Sequence, residues 1–172
     1  MTINRVWAMP NRNTFSIPPI RDWIIKHIPY ETKVVIDPFA NNSDKVIVGA
    51  ITNDLNPDYD TDYHMDALDF LRLFNDNSVD AVRYDPPYSP RQVSECYKSF
   101  GYEVTNKTTQ SSFWSQHKWE ISRIVKTGGI VLSFGWNTNG MGKRYGFEIV
   151  DVLIVAHGGH HNDTLCTCGT KI

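Results

Sequence analysis

Two adjacent prolines, Pro86 and Pro87, end the apolar, β-prone run Val79-Asp80-Ala81-Val82-Arg83-Tyr84 one residue after a carboxylate, Asp85. The run reads as a buried strand. Neither proline can donate a backbone hydrogen bond, so the ladder stops there. The strand's C-terminal edge therefore carries a carboxylate, a stiff proline pair and an aromatic ring, Tyr88. In open α/β sheets that edge is where ligands bind. These groups suit capture of a planar base bearing an amino group. Asp85 accepts one hydrogen bond from the amine, the Pro86 carbonyl accepts a second, and Tyr88 stacks on the base face. The same tetrapeptide is also ordinary turn punctuation, so the rest of the chain has to decide between the two.

The pattern along the chain is strand alternating with helix. Ile20, Trp23, Ile24, Ile25 and Ile28 have helical spacing, with Pro19 suited to a first turn and Pro29 ending the element. Residues 33–36 form a short apolar strand that runs into Asp37-Pro38-Phe39-Ala40. Asn41, Asn42, Ser43 and Asp44 are a loop by composition. Residues 46–52 are β-prone, and residues 63–65 are a candidate short strand. Asp66 is placed to cap a helix over residues 67–74. After Tyr88, residues 89–98 read as a helix and residues 101–112 as a polar loop. Residues 113–126 read as an amphipathic helix closed by Gly128 and Gly129. Residues 130–134, 147–156 and 164–171 are strand candidates, and the short link between the last two suits an antiparallel pair. The expected fold is a Rossmann-like α/β sheet, mostly parallel, with a C-terminal antiparallel strand pair.

At 172 residues one domain over residues 1–172 is expected. There is no secretory apolar region and no run long enough to span a bilayer, and residues 1–8 are mixed and short. Cys96, Cys166 and Cys168 are an odd set without a disulfide framework, which favours a reducing, cytoplasmic setting. His157, His160, His161, Cys166 and Cys168 raise a metal reading, because Cys-x-Cys on a strand points both sulfurs to one face. Tight zinc sites usually space the cysteines wider, and residues 157–160 read well as a turn, so no metal is expected. The net charge of −2 hides an asymmetry: residues 1–90 carry −5 and residues 91–144 carry +5. A basic middle beside an acidic first half fits a cofactor half and a phosphate-facing half, although helix surfaces often carry lysine and arginine at this density.

The four consecutive strand ends carry Asp37, Asp54, Asp66 and Asp85. Singly, each reads as a turn or a helix cap. A doubly wound sheet, however, brings such ends to one rim, and a random set of polar loops has no reason to place a carboxylate at every one.

This ordered set resembles the S-adenosylmethionine-dependent amino-methyltransferases, which modify adenine N6 or cytosine N4 in DNA. Asp85-Pro86-Pro87-Tyr88 looks like their motif IV in the form most typical of the adenine enzymes. Asp37-Pro38-Phe39-Ala40 is similar to motif I, beneath the methionine part of the cofactor. Asp54, followed by Leu55, falls at the acidic position that binds the ribose hydroxyls. Asp66, followed by Ala67, falls where the cofactor adenine's amine is accepted. Residues 15–19 are similar to motif X, where Phe15 touches the methionine moiety. The order X, I, II, III, IV is that of the γ-type arrangement. Ser133-Phe134-Gly135-Trp136-Asn137 and residues 157–164 resemble short phage-encoded members. The resemblance implies S-adenosyl-L-methionine as cofactor, DNA as partner and transfer of a methyl group to the N6 amine of an adenine flipped onto the motif. Cytosine N4 or RNA adenine methylation stays open. So does a non-catalytic nucleic-acid-binding protein on the same scaffold.

Two departures bear on the cofactor. Asn41, Asn42 and Ser43 stand where motif I usually continues with glycines. Only 16 residues separate Asp37 from Asp54, so the first crossover helix is expected to be short or absent. The longer relatives carry a separate target-recognition region, for which this chain has no room. Residues 89–112 are the candidate segment, with Arg91, Lys98 and Lys107 for phosphates and Lys143 and Arg144 as a second basic pair. A short target site, or help from a second subunit in a homodimer, follows. Trp136 and Trp114 are candidates for the base pocket, core packing being the stronger reading for Trp114.

Overall fold

A computed structural model describes residues 1–41, 49–104 and 112–172, with the backbone alone at Ser112. The strands are β1 (Thr2–Trp7), β2 (Val35–Asp37), β3 (Ile51–Thr52), β4 (Val79–Tyr84), β5 (Val125–Gly135), β6 (Phe147–Ala156) and β7 (Thr164–Lys171). The helices are α1 (Pro18–His27), α2 (Ala67–Arg72), α3 (Pro90–Ser99) and α4 (Ser112–Ile124). Short 3₁₀ turns lie at Thr14–Ser16 and Lys143–Tyr145.

The seven strands form one sheet in the order β1-β6-β7-β5-β4-β2-β3. Only β7 runs antiparallel to its neighbours, inserted between β5 and β6. The remaining pairings, β1 with β6, β5 with β4, β4 with β2 and β2 with β3, are parallel. The expected sheet class and its C-terminal antiparallel pair are therefore present. The C-terminal ends of β2, β3, β4 and β5 share one rim, which is what brings the loops after them together.

Each face of the sheet is covered. Phe15, Ile20, Trp23 and Ile24 from the α1 side pack on Ala81, Leu132, Phe134 and Leu153. On the other face Phe70 and Leu71 of α2 and Ile121 and Ile124 of α4 pack on Ile36, Val82, Val131 and Phe147. Burial at these positions is what the helical and strand periodicities encode, at roughly 1.5–3 kcal/mol for each large side chain. Pro18 and Pro19 open α1, where a missing N–H costs nothing, and Asp66 caps α2 by accepting from Leu68 N–H (2.8 Å).

Three expectations change. Residues 1–8 give an edge strand, β1, all of whose side chains are exposed. It is held by its backbone ladder to β6, so no burial pattern marks it. Gly128 and Gly129 do not close α4. That helix ends at Ile124, and β5 starts at Val125. The register jumps from Val79↔Val125 to Ala81↔Ile130, so the glycines form a bulge inside the strand. Gly128 sits at φ +79°, and a Cβ at Gly129 would lie 2.8 Å from the Lys126 carbonyl and 3.0 Å from that of Asp80. A glycine pair serves a helix end and a bulge equally well, and only the pairing separates them. Third, of residues 63–65 only Tyr63 bridges, to Asn53. Of the expected 46–52 strand, residues 46–48 lie outside the described residues and Ile51–Thr52 forms β3; most of the first crossover, Asn42, Ser43 and Lys107 also lie outside them. No helix among the described residues is long and apolar enough to cross a membrane.

Candidate active site

The rim is built around Asn53, a buried loop residue that sequence reasoning did not single out. Its side-chain amide donates to the carbonyls of Pro38 (3.1 Å) and Met65 (3.0 Å), and its Oδ1 accepts from Met65 N–H (3.1 Å). One side chain thus joins the loops that follow β2, β3 and the Tyr63 bridge. Those loops carry the expected carboxylates. Asp54 accepts from Asn41 N–H through Oδ2 and from Asn56 N–H through Oδ1, both at 2.9 Å. Asp66 accepts from Leu68 N–H through Oδ1 and from the Tyr97 hydroxyl through Oδ2. Each carboxylate keeps free lone pairs, since a carboxylate offers about four acceptor positions.

A cavity of about 380 Å³ opens between these loops and α3. Pro38, Phe39, Asp54, Leu55, Asp66 and Ala67 line it, together with Asp85, Pro86, Pro87 and Tyr88. Phe15 and Ala40 line a small cleft beside it, and Asp85 borders both spaces. Asp37 does not reach either. It is fully buried, 3.6 Å from the Arg83 guanidinium, and its Oδ1 accepts from Phe39 N–H (3.3 Å). As the last residue of β2, Asp37 faces the sheet interior, and it shapes the Pro38–Phe39 turn from below. Thr14, Met65, Cys96 and Tyr97 also line it without having been foreseen. Burial pushes the Cys96 thiol and the Tyr97 hydroxyl up, so both stay protonated.

Asp85-Pro86-Pro87-Tyr88 stands at the end of β4, braced from three sides. The Tyr84 hydroxyl hydrogen-bonds buried His117 Nδ1 (3.2 Å). Burial lowers His117 to about 4, leaving it neutral at pH 7. Trp114 Nε1 donates to the Pro87 carbonyl (2.9 Å), and Tyr88 N–H donates to Gln92 Oε1 (2.7 Å). Ser89 caps α3. The Pro86 carbonyl, by contrast, accepts no hydrogen bond among the described residues. The Tyr88 hydroxyl donates to Asp85 Oδ1. Burial raises the Asp85 pKa, and hydrogen bonding by Tyr88 and Thr14 pulls it part of the way back.

On the far side of the motif lies a second cavity, of about 460 Å³. Pro86 and Tyr88 line both cavities, so the motif is the wall between them. Trp114 and Trp136 line the second cavity, and the Tyr88 and Trp136 rings meet at 5.6 Å and 65°. Both spaces fall in the roughly 300–1,000 Å³ range of small-molecule sites. Lys118 also lines the second cavity, with its ammonium 5.8 Å from the Tyr145 ring centre, and burial lowers its pKa.

The expected basic residues do not form one group. Arg91 is exposed on α3 and pairs with Glu95 (2.8 Å), and Lys98 is exposed near the end of that helix. Lys143 and Arg144 are exposed in the turn leading into β6. Phe147 there pairs with Lys171, beside the Thr170↔Ile130 and Ala81↔Ile130 row. That level is well below the Asp85 end of β4. Cys166 and Cys168 are buried in the α1-side core, and His157 bonds the Ala8 carbonyl and Thr164 Oγ1, both at 2.8 Å. Among the described residues no group of three or more His, Cys, Asp or Glu is placed to hold a metal.

No family model matches the chain, and neither does any curated protein. Solved structures do. A 1,6-didemethyltoxoflavin-N1-methyltransferase from Burkholderia thailandensis, solved with 1,6-didemethyltoxoflavin and S-adenosylhomocysteine, superposes with a TM-score of 0.61 at 11% identity over 89% of this chain and 76% of its own. TrmN from Thermus thermophilus gives 0.59 at 15% identity over 91% of this chain, which spans about half (49%) of TrmN. The putative methyltransferase yhhF from Escherichia coli gives 0.59 at 7% identity, covering 95% of this chain and 91% of the other. At such identities the likeness establishes the fold: a Rossmann-like sheet of the methyltransferase type.

Proposed function

We propose that this chain transfers a methyl group from S-adenosylmethionine to the exocyclic N6 amine of adenine in DNA. The observation that carries the reading is the Asp85-Pro86-Pro87-Tyr88 motif between two cavities, with Pro86 and Tyr88 lining both, the Asp85 carboxylate lining the first, and the Pro86 carbonyl without a partner among the described residues. An amine has two N–H groups to give, and the wall offers two acceptors.

The residues of the first cavity fit the cofactor. Asp54 has acceptor positions left for ribose hydroxyls, Asp66 for an adenine amine, and Phe39 and Leu55 supply apolar surface. The cofactor brings an electrophilic methyl group on a sulfonium. The chain's own task is to make a base amine nucleophilic. Hydrogen bonds from both N–H groups to Asp85 and the Pro86 carbonyl favour a pyramidal nitrogen with a localised lone pair. They also stabilise the positive charge that develops there. The methylated nitrogen would have one proton to lose, and Asp85, made more basic by burial, would be the residue to take it. Tyr88 and Trp136 form the aromatic wall on which the flipped base stacks. The rest is in-line positioning at roughly 3–3.5 Å.

The test is nucleoside mass spectrometry after incubation of DNA and RNA with the protein and S-adenosylmethionine carrying a labelled methyl group. Label in N6-methyldeoxyadenosine is expected. Label in N4-methylcytosine or in RNA alone would move the substrate, and no label in any nucleoside would overturn the reading.

A further inference from the structure

The second cavity holds a hydroxyl that the fold itself does not use. Ser133 on β5 is only 7% exposed, and its Oγ has no hydrogen-bond partner among the described residues. Ser133 is the register partner of Tyr84, the residue just before Asp85. Paired residues of a sheet leave the same face, so its side chain points to the α4 side, where Ser133 lines the second cavity with Pro86 and Tyr88. Burying a hydroxyl without a partner is unfavourable, which makes such a group a candidate for a ligand's polar atom.

Gly140 lies close to Ser133, and what excludes a side chain there is Thr167. Gly140 sits at φ +35°, and a Cβ there would lie 3.7 Å from Ser133 Oγ and 2.2 Å from Thr167 Oγ1. Only a residue without a side chain fits. The other polar side chains at this end of the cavity, Asn137 and Asn139, are exposed. Ser133 is the buried one.

We propose that Ser133 helps to read the target base by donating a hydrogen bond to the ring nitrogen that flanks the target amine, N1 in adenine. The inference rests on the reading of the site given above. With the amine held by Asp85 and the Pro86 carbonyl, the neighbouring base atom is an acceptor. Asp85 and the Pro86 carbonyl are acceptors too and cannot meet it. The hydroxyl of Ser133, which opens into the cavity that Pro86 and Tyr88 also line, can. The three groups together read an amine beside an unprotonated ring nitrogen, a pattern that adenine shares with cytosine, that guanine offers only on its N3 side, and that thymine lacks.

The test uses equilibrium binding, so it is independent of turnover. Deoxyadenosine monophosphate and its 1-deaza and 7-deaza analogues are titrated against the full chain with S-adenosylhomocysteine present, read by tryptophan fluorescence. Removing N1 from the ligand is expected to weaken binding about tenfold, a typical single hydrogen bond. Removing N7 should change little. Ser133→Ala should bind the parent nucleotide about tenfold more weakly and no longer distinguish it from the 1-deaza analogue. Equal wild-type binding of the parent and 1-deaza nucleotides, full discrimination surviving in Ser133→Ala, sensitivity to N7 instead of N1, or no binding at all would each overturn the inference. If the N1 dependence is found but no methyl group is ever transferred, the proposed activity falls while the base-reading role stands.

Discussion

At Asp85 two requirements pull against each other. The carboxylate must be ionised to accept from an amine, yet burial raises its pKa. Hydrogen bonding by Tyr88 and Thr14 keeps the charged form accessible, and the Tyr88 hydroxyl, itself pushed up by burial, stays a donor. Methyl transfer should therefore decline on acidification with a midpoint above the ordinary aspartate value of about 3.9, measurable as a pH profile of kcat/KM. Asp85→Ala should abolish transfer while leaving S-adenosylmethionine affinity within about tenfold, or roughly 1.4 kcal/mol; calorimetry beside a transfer assay separates the two. Full activity in that variant would remove Asp85 from the mechanism. Asp54→Ala should act the other way round, weakening the cofactor by about 1.5–3 kcal/mol, the range for a hydrogen bond involving a charged group. An affinity equal to wild type, with circular dichroism unchanged, would count against that role. Asp37, Asp54 and Asp85 were legible because each ends or soon follows an apolar strand, and Asp66 because it stands where a helix cap is expected. Asn53, Tyr97 and Ser133 were not. A single polar residue has no periodicity, and what it bonds is decided by loops far apart in the chain.

Among the elements, α1 is tied to β6 through one buried carboxylate. Asp151 Oδ2 accepts from Trp23 Nε1 (3.1 Å) and Lys26 Nζ (3.1 Å) and pairs with His27 Nε2 (2.9 Å). Desolvation opposes its charge, but the hydrogen bonds from His27, Lys26 and Trp23 outweigh it, and its pKa is lowered. A carboxyl whose folded pKa lies below its unfolded one stabilises the fold above the unfolded value, about 3.9, and loses that contribution as pH falls through the folded value. Urea denaturation should show Asp151→Asn less stable than wild type at pH 7, with the gap closing toward pH 3. A gap that persists in acid would mean that packing, not charge, is what Asp151 supplies. Elements were legible where burial imposed a period. Helix α1 and strands β4, β6 and β7 came through nearly to the residue, whereas β1, exposed along its length, left no pattern, and the Gly128–Gly129 bulge looked like a helix end.

For the whole molecule, the question is which surface holds nucleic acid when a base enters the second cavity. The +5 balance of residues 91–144 suggested a continuous basic face. The fold divides it. Arg91 and Lys98 lie on α3, which leaves the motif directly through the Ser89 cap. Lys143 and Arg144 sit level with the lower half of β4, out of line with Asp85. A strand feeding its base to Asp85 would thus run along α3 and past the half-buried Lys118 at the cavity wall, with Lys107, outside the described residues, kept as a candidate from its sequence position alone. Phosphate contacts release counterions, giving a log–log salt slope of roughly −0.9 for each duplex phosphate neutralised. Replacing Arg91, Lys98 and Lys107 together should lower DNA affinity and flatten that slope by up to about 2.7, less if the Glu95 partner already holds Arg91. Replacing Lys143 and Arg144 should leave the slope near that of wild type. S-adenosylmethionine affinity should be unchanged in both, since none of the described side chains Arg91, Lys98, Lys143 and Arg144 lines the first cavity. Fluorescence anisotropy across a salt series measures all of this. A slope unmoved by the triple replacement but flattened by the double one would put the DNA on the β6 side of the sheet, where a base could not reach Asp85 along the path described.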